Sequence, residues 1–282
     1  MTDPIHTLES RYYHDPDIYR QECEIVFKNE WLLFGHEASV KEPGSYIART
    51  IAGYPVFVIR DKSGKLKAHH NVCRHRAMPI LKDGTDKASV LRCQYHGWVY
   101  DTDGNLKKAP DFGGDHQALC KRTNLFPVHV RTWRNLIFIC MAEGNAPDFN
   151  KALGDLPKVC EGTDLENFQF HSAATHPIKC NWKTYIENYM EGYHIPTIHP
   201  GLAKEVDMAT YFVHPGERIA QHVTQTPEDM KQEALNEGLW VWHWPYAALN
   251  VYKTGMNLEL AVPTGPETVE LQYTYFFRDT SG

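Results

Sequence analysis

The 282-residue sequence contains no run of about 18 apolar residues, the length a helix needs to cross a bilayer, so a membrane-spanning role is not expected. It also lacks a basic excess. Lys and Arg number 29 against 35 Asp and Glu, a formal net charge of −6 with a pI near 6.2. Without a basic stripe to neutralise phosphates, nucleic acid is not an expected partner. The opening stretch MTDPIHTLESRYYHDPD lacks the charged-then-apolar order of a secretory signal, which points to the cytoplasm. Cysteines are few and odd in number, at 7, which argues against a disulfide framework in a chain without an export signal. Cys120, Cys140, Cys160 and Cys180 fall at equal intervals, but the residues around them share no pattern. There is no internal repeat and no low-complexity tract. What is present is a 42% hydrophobic content, enough to bury a core in one large or two ordinary domains.

The pattern along the chain divides it in three. In DPDIYRQECEIVFKNEW, Asp15 can cap, Pro16 suits a first helical turn, and Ile18, Cys23, Val26 and Phe27 recur at helical spacing. A helical segment is therefore expected within residues 1–43. From about Gly44 the runs YPVFVIR, LKAHHNV, WVYDT and NLIFICM, set apart by DKSG and DTDG turns, predict a small all-β unit over 44–145. EGNAPDFNKALGDLPK reads as a linker into a mixed region, 146–282, where the helix NWKTYIENYMEGYH precedes strand-like runs at MNLELAV and VELQYTYFF.

Two clusters of ligand-type residues stand out. Cys73-x-His75 is followed after 17 residues by Cys93-x-x-His96. Two Cys and two His can hold Zn²⁺ tetrahedrally. Each loop, however, supplies one Cys and one His, a division that suits a [2Fe–2S] cluster whose one iron takes both thiolates and whose other takes both imidazoles. The second cluster is ENYMEGYHIPTIHP, 187–200. Trp182, Tyr185, Ile186, Tyr189 and Met190 make one buried stripe, while Glu187, Glu191 and His194 at i, i+4 and i+7 are expected to share an adjoining face. Five residues turn a straight helix by about 140°, so His199 returns to that face only if the helix ends, and Pro196 is expected to end it. Two histidines with a carboxylate and open positions are the ligand set of non-haem Fe(II) oxygenases. Solvated or capping histidines are the plainer alternative.

CRH…CQYHGW together with NWKTYIENYMEGYHIPTIH resembles the α-subunit of the Rieske non-haem iron oxygenases over essentially the whole chain. The resemblance implies an α+β chain, with an all-β Rieske domain followed by a helix-grip catalytic domain of antiparallel sheet and helices. It implies that Cys73, His75, Cys93 and His96 hold the cluster, that His194 and His199 hold a mononuclear Fe(II), and that Glu191 bridges the two centres for electron transfer. The third iron ligand is then an aspartate in a C-terminal helix downstream of VELQYTYFFRDTSG. It is not expected within residues 1–282, since neither Asp207 nor Asp279 matches its place, and the catalytic domain would be C-terminally incomplete. The resemblance further implies a homotrimer and electrons from NAD(P)H through a flavin/iron–sulfur reductase or ferredoxin, with O₂ as co-substrate.

Within the family, YMEGYH…HPG and the following GLWVWHWPYAALNVYKTG look most like monooxygenases of quaternary ammonium compounds such as carnitine, glycine betaine and choline. Ring-dihydroxylating members typically carry Asp where this chain has Glu191. The aromatic residues Tyr193, Trp240, Trp242, Trp244 and Tyr246 can offer π-faces to a trimethylammonium group, although aromatics alternating along a strand also serve as core. The expected activity is hydroxylation beside nitrogen with C–N cleavage. The alternatives are an aromatic-ring dioxygenase, or a Rieske electron carrier or inactive oxygenase-like subunit.

Overall fold

The computed structural model describes residues 7–224 and 238–280. The chain divides into two compact units. One holds residues 29–152 with 164–171 and the chain from Phe277; the other holds the N-terminal residues to Lys28, 153–163 and 172–276.

The first unit is all-β apart from short helices. Its strands are β1 (Leu32–His36), β2 (Ser45–Ile51), β3 (Tyr54–Arg60), β4 (Leu66–His70), β5 (Gly84–Lys87), β6 (Leu91–Arg92), β7 (Val99–Tyr100), β8 (Leu106–Lys108), β9 (His129–Trp133) and β10 (Leu136–Cys140). They form three sheets, in the orders β1-β10-β9, β4-β3-β2-β5 and β6-β7-β8. β1 and β10 are buried at every position, as a fully apolar run such as LIFIC requires. The N-terminal segment expected over 1–43 is thereby split. LLFGH pairs with β10 as a strand of the first unit, and only the residues before Asn29 belong with the second.

In the second unit Asp15 accepts the Asp17 N–H and Pro16 opens the helix Pro16–Glu22, which continues as a wider turn over Cys23–Phe27. Glu22 takes both the Trp182 indole N–H and the Lys183 ammonium, and Phe27 meets Trp182 edge-on with centroids 5.2 Å apart. This packs the N-terminal helix onto the helix Trp182–Met190. The stretch expected as a linker is ordered into the helices Phe149–Leu153 and Leu156–Val159. Asp148 caps the first by accepting the Asn150 and Lys151 N–H groups.

The main sheet has seven strands, β11 (Gln169–Ile178), β12 (Phe212–Gly216), β13 (Ile219–Val223), β14 (Leu239–His243), β15 (Ala247–Val251), β16 (Gly255–Gly265) and β17 (Thr268–Phe277), in the order β11-β17-β16-β15-β14-β13-β12. Neighbours from β12 to β16 pair antiparallel. The helix Trp182–Met190 is tied to this sheet by Asn181, which donates to the Pro266 carbonyl, and by Tyr185, whose hydroxyl donates to Glu259 of β16. The whole is α+β, an all-β domain and an antiparallel sheet with few helices. No helix among the described residues is long and apolar enough to cross a membrane.

Candidate functional site

The two Cys/His loops are conformational duplicates. Cys73 N–H donates to the carbonyl of Met78, and its own carbonyl accepts from Ala77 N–H; Cys93 does the same with Trp98 and Gly97. Each loop turns through a positive φ at the fourth position after its first residue, 58° at Ala77 and 69° at Gly97, the left-handed conformation glycine adopts without strain. Both thiols are buried, at 2% exposure each, inside a core of Tyr46, Phe57, Ile80, Leu91, Trp98 and Tyr100. They are in hydrogen-bond contact, and burial pushes the Cys73 thiol up.

Asn71, 1% exposed, braces the first loop. Its side-chain oxygen accepts the Ile80 and Leu81 N–H groups and its amide donates to the Leu81 carbonyl. Tyr100 braces the cysteine end, with its hydroxyl 3.4 Å from Cys73 Sγ and 3.1 Å from the Arg74 N–H it accepts. The imidazoles lie at the surface, where the Nδ1 atoms of His75 and His96 converge to 3.1 Å and Trp98 stacks on His75 at 5.0 Å.

Among the described residues no three His, Cys, Asp or Glu gather around one point. What the loops present instead is a pair of thiols and a pair of ring nitrogens. That arrangement fits a two-iron cluster with one pair per iron better than a single tetrahedral ion.

The second group of residues departs from the expected helix. The helix ends at Met190; Glu191 is already extended at φ −104°, ψ 146°. Glu187, Glu191 and His194 therefore do not share a helical face. Glu187 turns the other way, accepting a hydrogen bond from Tyr13 at 2.7 Å. Pro196 does not end the helix. It opens a new turn, Ile195–Ile198, where its missing N–H is not needed. The break comes earlier, at Glu191, and just beyond it Gly192 admits the Tyr211 ring against the backbone, since a Cβ there would sit 2.0 Å from Cε1 of Tyr211.

The broken backbone turns Glu191 back on its own loop. Its carboxylate accepts from the N–H groups of Tyr193 and His194 and meets His194 Nδ1. Against an opposing desolvation, these contacts hold the carboxyl below its ordinary value. A carboxylate at Nδ1 keeps the proton there and leaves Nε2 as the ligating atom. The His194 and His199 rings lie 5.2 Å apart at 74°. Two imidazoles with one oriented by a carboxylate are a donor set that fits a divalent iron with open positions.

His194, His199 and Glu191 open onto a cavity of about 250 Å³. One wall is the helix, through Tyr185 and Tyr189, and the facing wall is a row across the sheet. In that row His222 of β13 pairs with Trp240 of β14, and Trp240 with Asn250 of β15. Tyr189 spans the two walls by donating to Asn250 at 2.8 Å.

Of the aromatics expected to receive a cation, Trp240 lines the cavity. Trp242 and Tyr246 are core at 9% and 0% exposure, and Tyr193 points to solvent at 93%. Trp244 does not line it either. The lining aromatics outside that expectation are Tyr211 and Tyr252, together with His222, and Tyr185 and Tyr189, which were expected only as part of the buried stripe. Asp207 turns into its own loop to accept the Ala209 N–H and does not line the cavity.

Residues 30–127 match the Rieske [2Fe-2S] domain and residues 165–281 the ring hydroxylating alpha subunit catalytic domain. The chain is 31% identical over 278 residues to the chloroplastic choline monooxygenase of Beta vulgaris, with 96% of this chain and 62% of that protein aligned. It is 28% identical over 283 residues to the carnitine monooxygenase oxygenase subunit of Escherichia coli K12, covering 96% of this chain and 75% of that protein. Among solved structures, the quaternary ammonium Rieske monooxygenase CntA in complex with L-carnitine superposes with a TM-score of 0.84 at 26% identity, over 96% of this chain and 75% of that one. The chain thus spans less than two thirds of the length of the choline monooxygenase it matches. With a Rieske domain followed by the ring-hydroxylating catalytic domain, it belongs to the Rieske non-haem iron oxygenase α-subunit family.

Proposed function

We propose that the chain is the oxygenase component of a Rieske system that hydroxylates a small quaternary ammonium compound beside its nitrogen, with C–N cleavage following. The observation that carries this is the joining of His194, His199 and Glu191 to a cavity walled by Tyr185, Tyr189, Tyr211, Trp240 and Tyr252. Cations bind well over aromatic faces. The likeness to the choline and carnitine monooxygenases supports the same substrate class.

The family implies a Rieske cluster and a mononuclear iron. Cys73, His75, Cys93 and His96 would hold the first, His194 and His199 the second. Bound there, they supply electrons one at a time and a place for O₂ beside the substrate. The chain's own residues do the rest. The aromatic walls seat the ammonium group and exclude water, Tyr189 and Asn250 fix the wall spacing, and Glu191 fixes the tautomer of His194.

The reaction balances as substrate, O₂, two electrons and two protons giving a carbinolamine and water. The carbinolamine then loses its hydroxyl proton as the C–N bond breaks, so that a tertiary amine leaves with the bonding electron pair and a carbonyl remains. The electrons come from NAD(P)H through a flavin/iron–sulfur reductase or ferredoxin, and the chains assemble head to tail into a closed ring of three. In that ring Glu191 is the bridge that carries electrons from one copy's cluster to the next copy's iron.

The test is O₂ uptake by the purified, iron-loaded protein with a flavin reductase and NADH, against trimethylammonium compounds and aromatic hydrocarbons. Uptake matched by trimethylamine release is expected. Uptake with the hydrocarbons alone makes it a ring dioxygenase, and a reducible cluster with no uptake on any substrate makes it an electron carrier. Either result overturns the proposal. Glu191→Gln should keep both metals and a reducible cluster while turnover collapses.

A further inference from the structure

The row of side chains across β13, β14 and β15 is satisfied in its polar groups with one exception. The Trp240 indole N–H donates to the Tyr252 hydroxyl at 3.0 Å. Asn250 accepts from Tyr189 and donates to Asn257 at 3.0 Å. His222 is 7% exposed and held on one side only. Its Nδ1 lies 2.5 Å from the Tyr211 hydroxyl, and its ring stands edge-on to Tyr189 at 5.0 Å. Its Nε2 is buried, belongs to a side chain that lines the cavity, and has no hydrogen-bond partner among the described residues.

A buried polar atom left unpaired is costly and uncommon, so it calls for an explanation. Burial pushes the imidazole down to about 4, so at neutral pH it is uncharged. A phenol is a better proton donor than a neutral imidazole N–H, so the Tyr211 hydroxyl donates to Nδ1. The ring hydrogen then stays on Nε2, a buried and unpaired donor on a side chain that lines the cavity.

The side chains that hold His222 are themselves fixed. Tyr211 packs on the backbone of Gly192, in the loop that carries Glu191 and His194. The donor is therefore set at a defined place relative to the iron ligands. None of the described lining residues is Lys or Arg. A neutral donor suits an uncharged oxygen better than a carboxylate, which would enter without a counter-charge.

We propose that His222 Nε2 is the specificity contact of this cavity, donating to a hydroxyl oxygen at the end of the substrate remote from the quaternary nitrogen. The proposal rests on the quaternary ammonium reading above. It predicts a cationic alcohol in preference to the same cation without its oxygen.

The test compares binding of choline and of propyltrimethylammonium, in which a methyl replaces the hydroxyl, by calorimetry on the full protein. The wild type should favour choline by about ten- to a hundredfold, the gain from pairing one buried donor that the other cation leaves unpaired. His222→Asn keeps an atom near Nδ1 for Tyr211 but has nothing at Nε2, and its ratio should fall to within about threefold of unity. His222→Gln reaches the Nε2 position and should restore most of the preference. Each ratio is taken on one protein, so a general loosening of the fold weakens both ligands and cancels.

Equal binding of the two cations by the wild type overturns the proposal and leaves the quaternary ammonium reading standing. So does a preference that survives His222→Asn, or a preference shown for glycine betaine and not for choline. Failure of the wild type to bind any trimethylammonium compound overturns both. Should His222→Asn not fold, the wild-type and His222→Gln ratios decide alone.

Discussion

Replacing Asn71 by alanine should be the most damaging single change to the first cysteine loop, and its size can be worked from the contacts. The side chain makes three hydrogen bonds, accepting at 3.0 Å from both Ile80 N–H and Leu81 N–H and donating at 2.8 Å to the Leu81 carbonyl. Ile80 and Leu81 are only 5% and 8% exposed, so the three backbone groups have no easy access to water once the amide is gone. Each stranded group costs about 1–3 kcal/mol. Taking the lower part of that range for groups that can relax gives about 3–6 kcal/mol, a large share of the roughly 5–15 kcal/mol that holds a typical domain folded. Asn71 lies two residues before Cys73, and its partners lie just after the loop, so the loss falls on the loop's geometry as well as on global stability. Urea unfolding of wild type and Asn71→Ala, with visible absorbance per chain measured on the same preparations, reads both effects. Asn71→Asp keeps the acceptors but sets an oxygen against the Leu81 carbonyl, so it should fall between the two. A loss below about 1 kcal/mol with full visible absorbance would refute the reasoning, because the loop would then be held by something other than Asn71.

Cys93→Ser should abolish the visible absorption and the reduced-state EPR signal; a colourless wild type that carries zinc and no acid-labile sulfide would overturn the cluster assignment. His194→Ala and His199→Ala should each leave the cluster spectrum intact while removing the second iron and product formation, and turnover in either variant would sink that ligand set. His36 is fully buried between the Leu165 carbonyl and the Ala38 N–H, and burial lowers it from 6.5 to about 4. Because the folded value is the lower one, its contribution is complete above about pH 6.5 and is lost as pH falls toward 4, by as much as about 3 kcal/mol. Urea midpoints between pH 7 and pH 4 should drop accordingly in the wild type, and an unchanged midpoint across that window would rule the effect out.

How far each feature could be read from the sequence depends on how local its cause is. The two Cys/His loops are short-range objects. Spacing, a Gly97 where a positive φ is needed, and the apolar cover of Trp98 all lie within a few residues, so the motif and the chemistry it supports are visible together. The strands YPVFVIR, NLIFICM and VELQYTYFF declare themselves for the same reason. LLFGH did not, because a short apolar run following an amphipathic helix carries no period of its own, and only its pairing with β10 makes it a strand. The helix end was misplaced because its cause is remote. Pro196 is the local signal for a break, but the helix already ends at Met190, and just beyond it a tyrosine 19 positions after Gly192 in sequence packs where a Cβ would sit.

The cavity shows the same dependence at the level of chemistry. Trp240 and Trp242 are equivalent in the sequence, being alternate residues of one strand on one face. Only register separates them, since Trp240 stands opposite His222 and Asn250 whereas Trp242 stands between Ala220 and Ala248. The two alanines leave Trp242 to fill volume, and the polar neighbours leave Trp240 facing a space that the helix does not close. His222 is a lone histidine in an apolar strand, which in isolation reads as a satisfied core residue. Its unpaired Nε2 follows from three things that do not lie near it in sequence: the tyrosine that takes Nδ1, the ring of Tyr189 that walls it, and the pairing that puts it across from Trp240. Metal ligands announce themselves because a metal demands particular atoms at close spacing. The selectivity of the cavity comes from which neighbour each side chain meets across the sheet, so it becomes visible only when the strands are laid side by side.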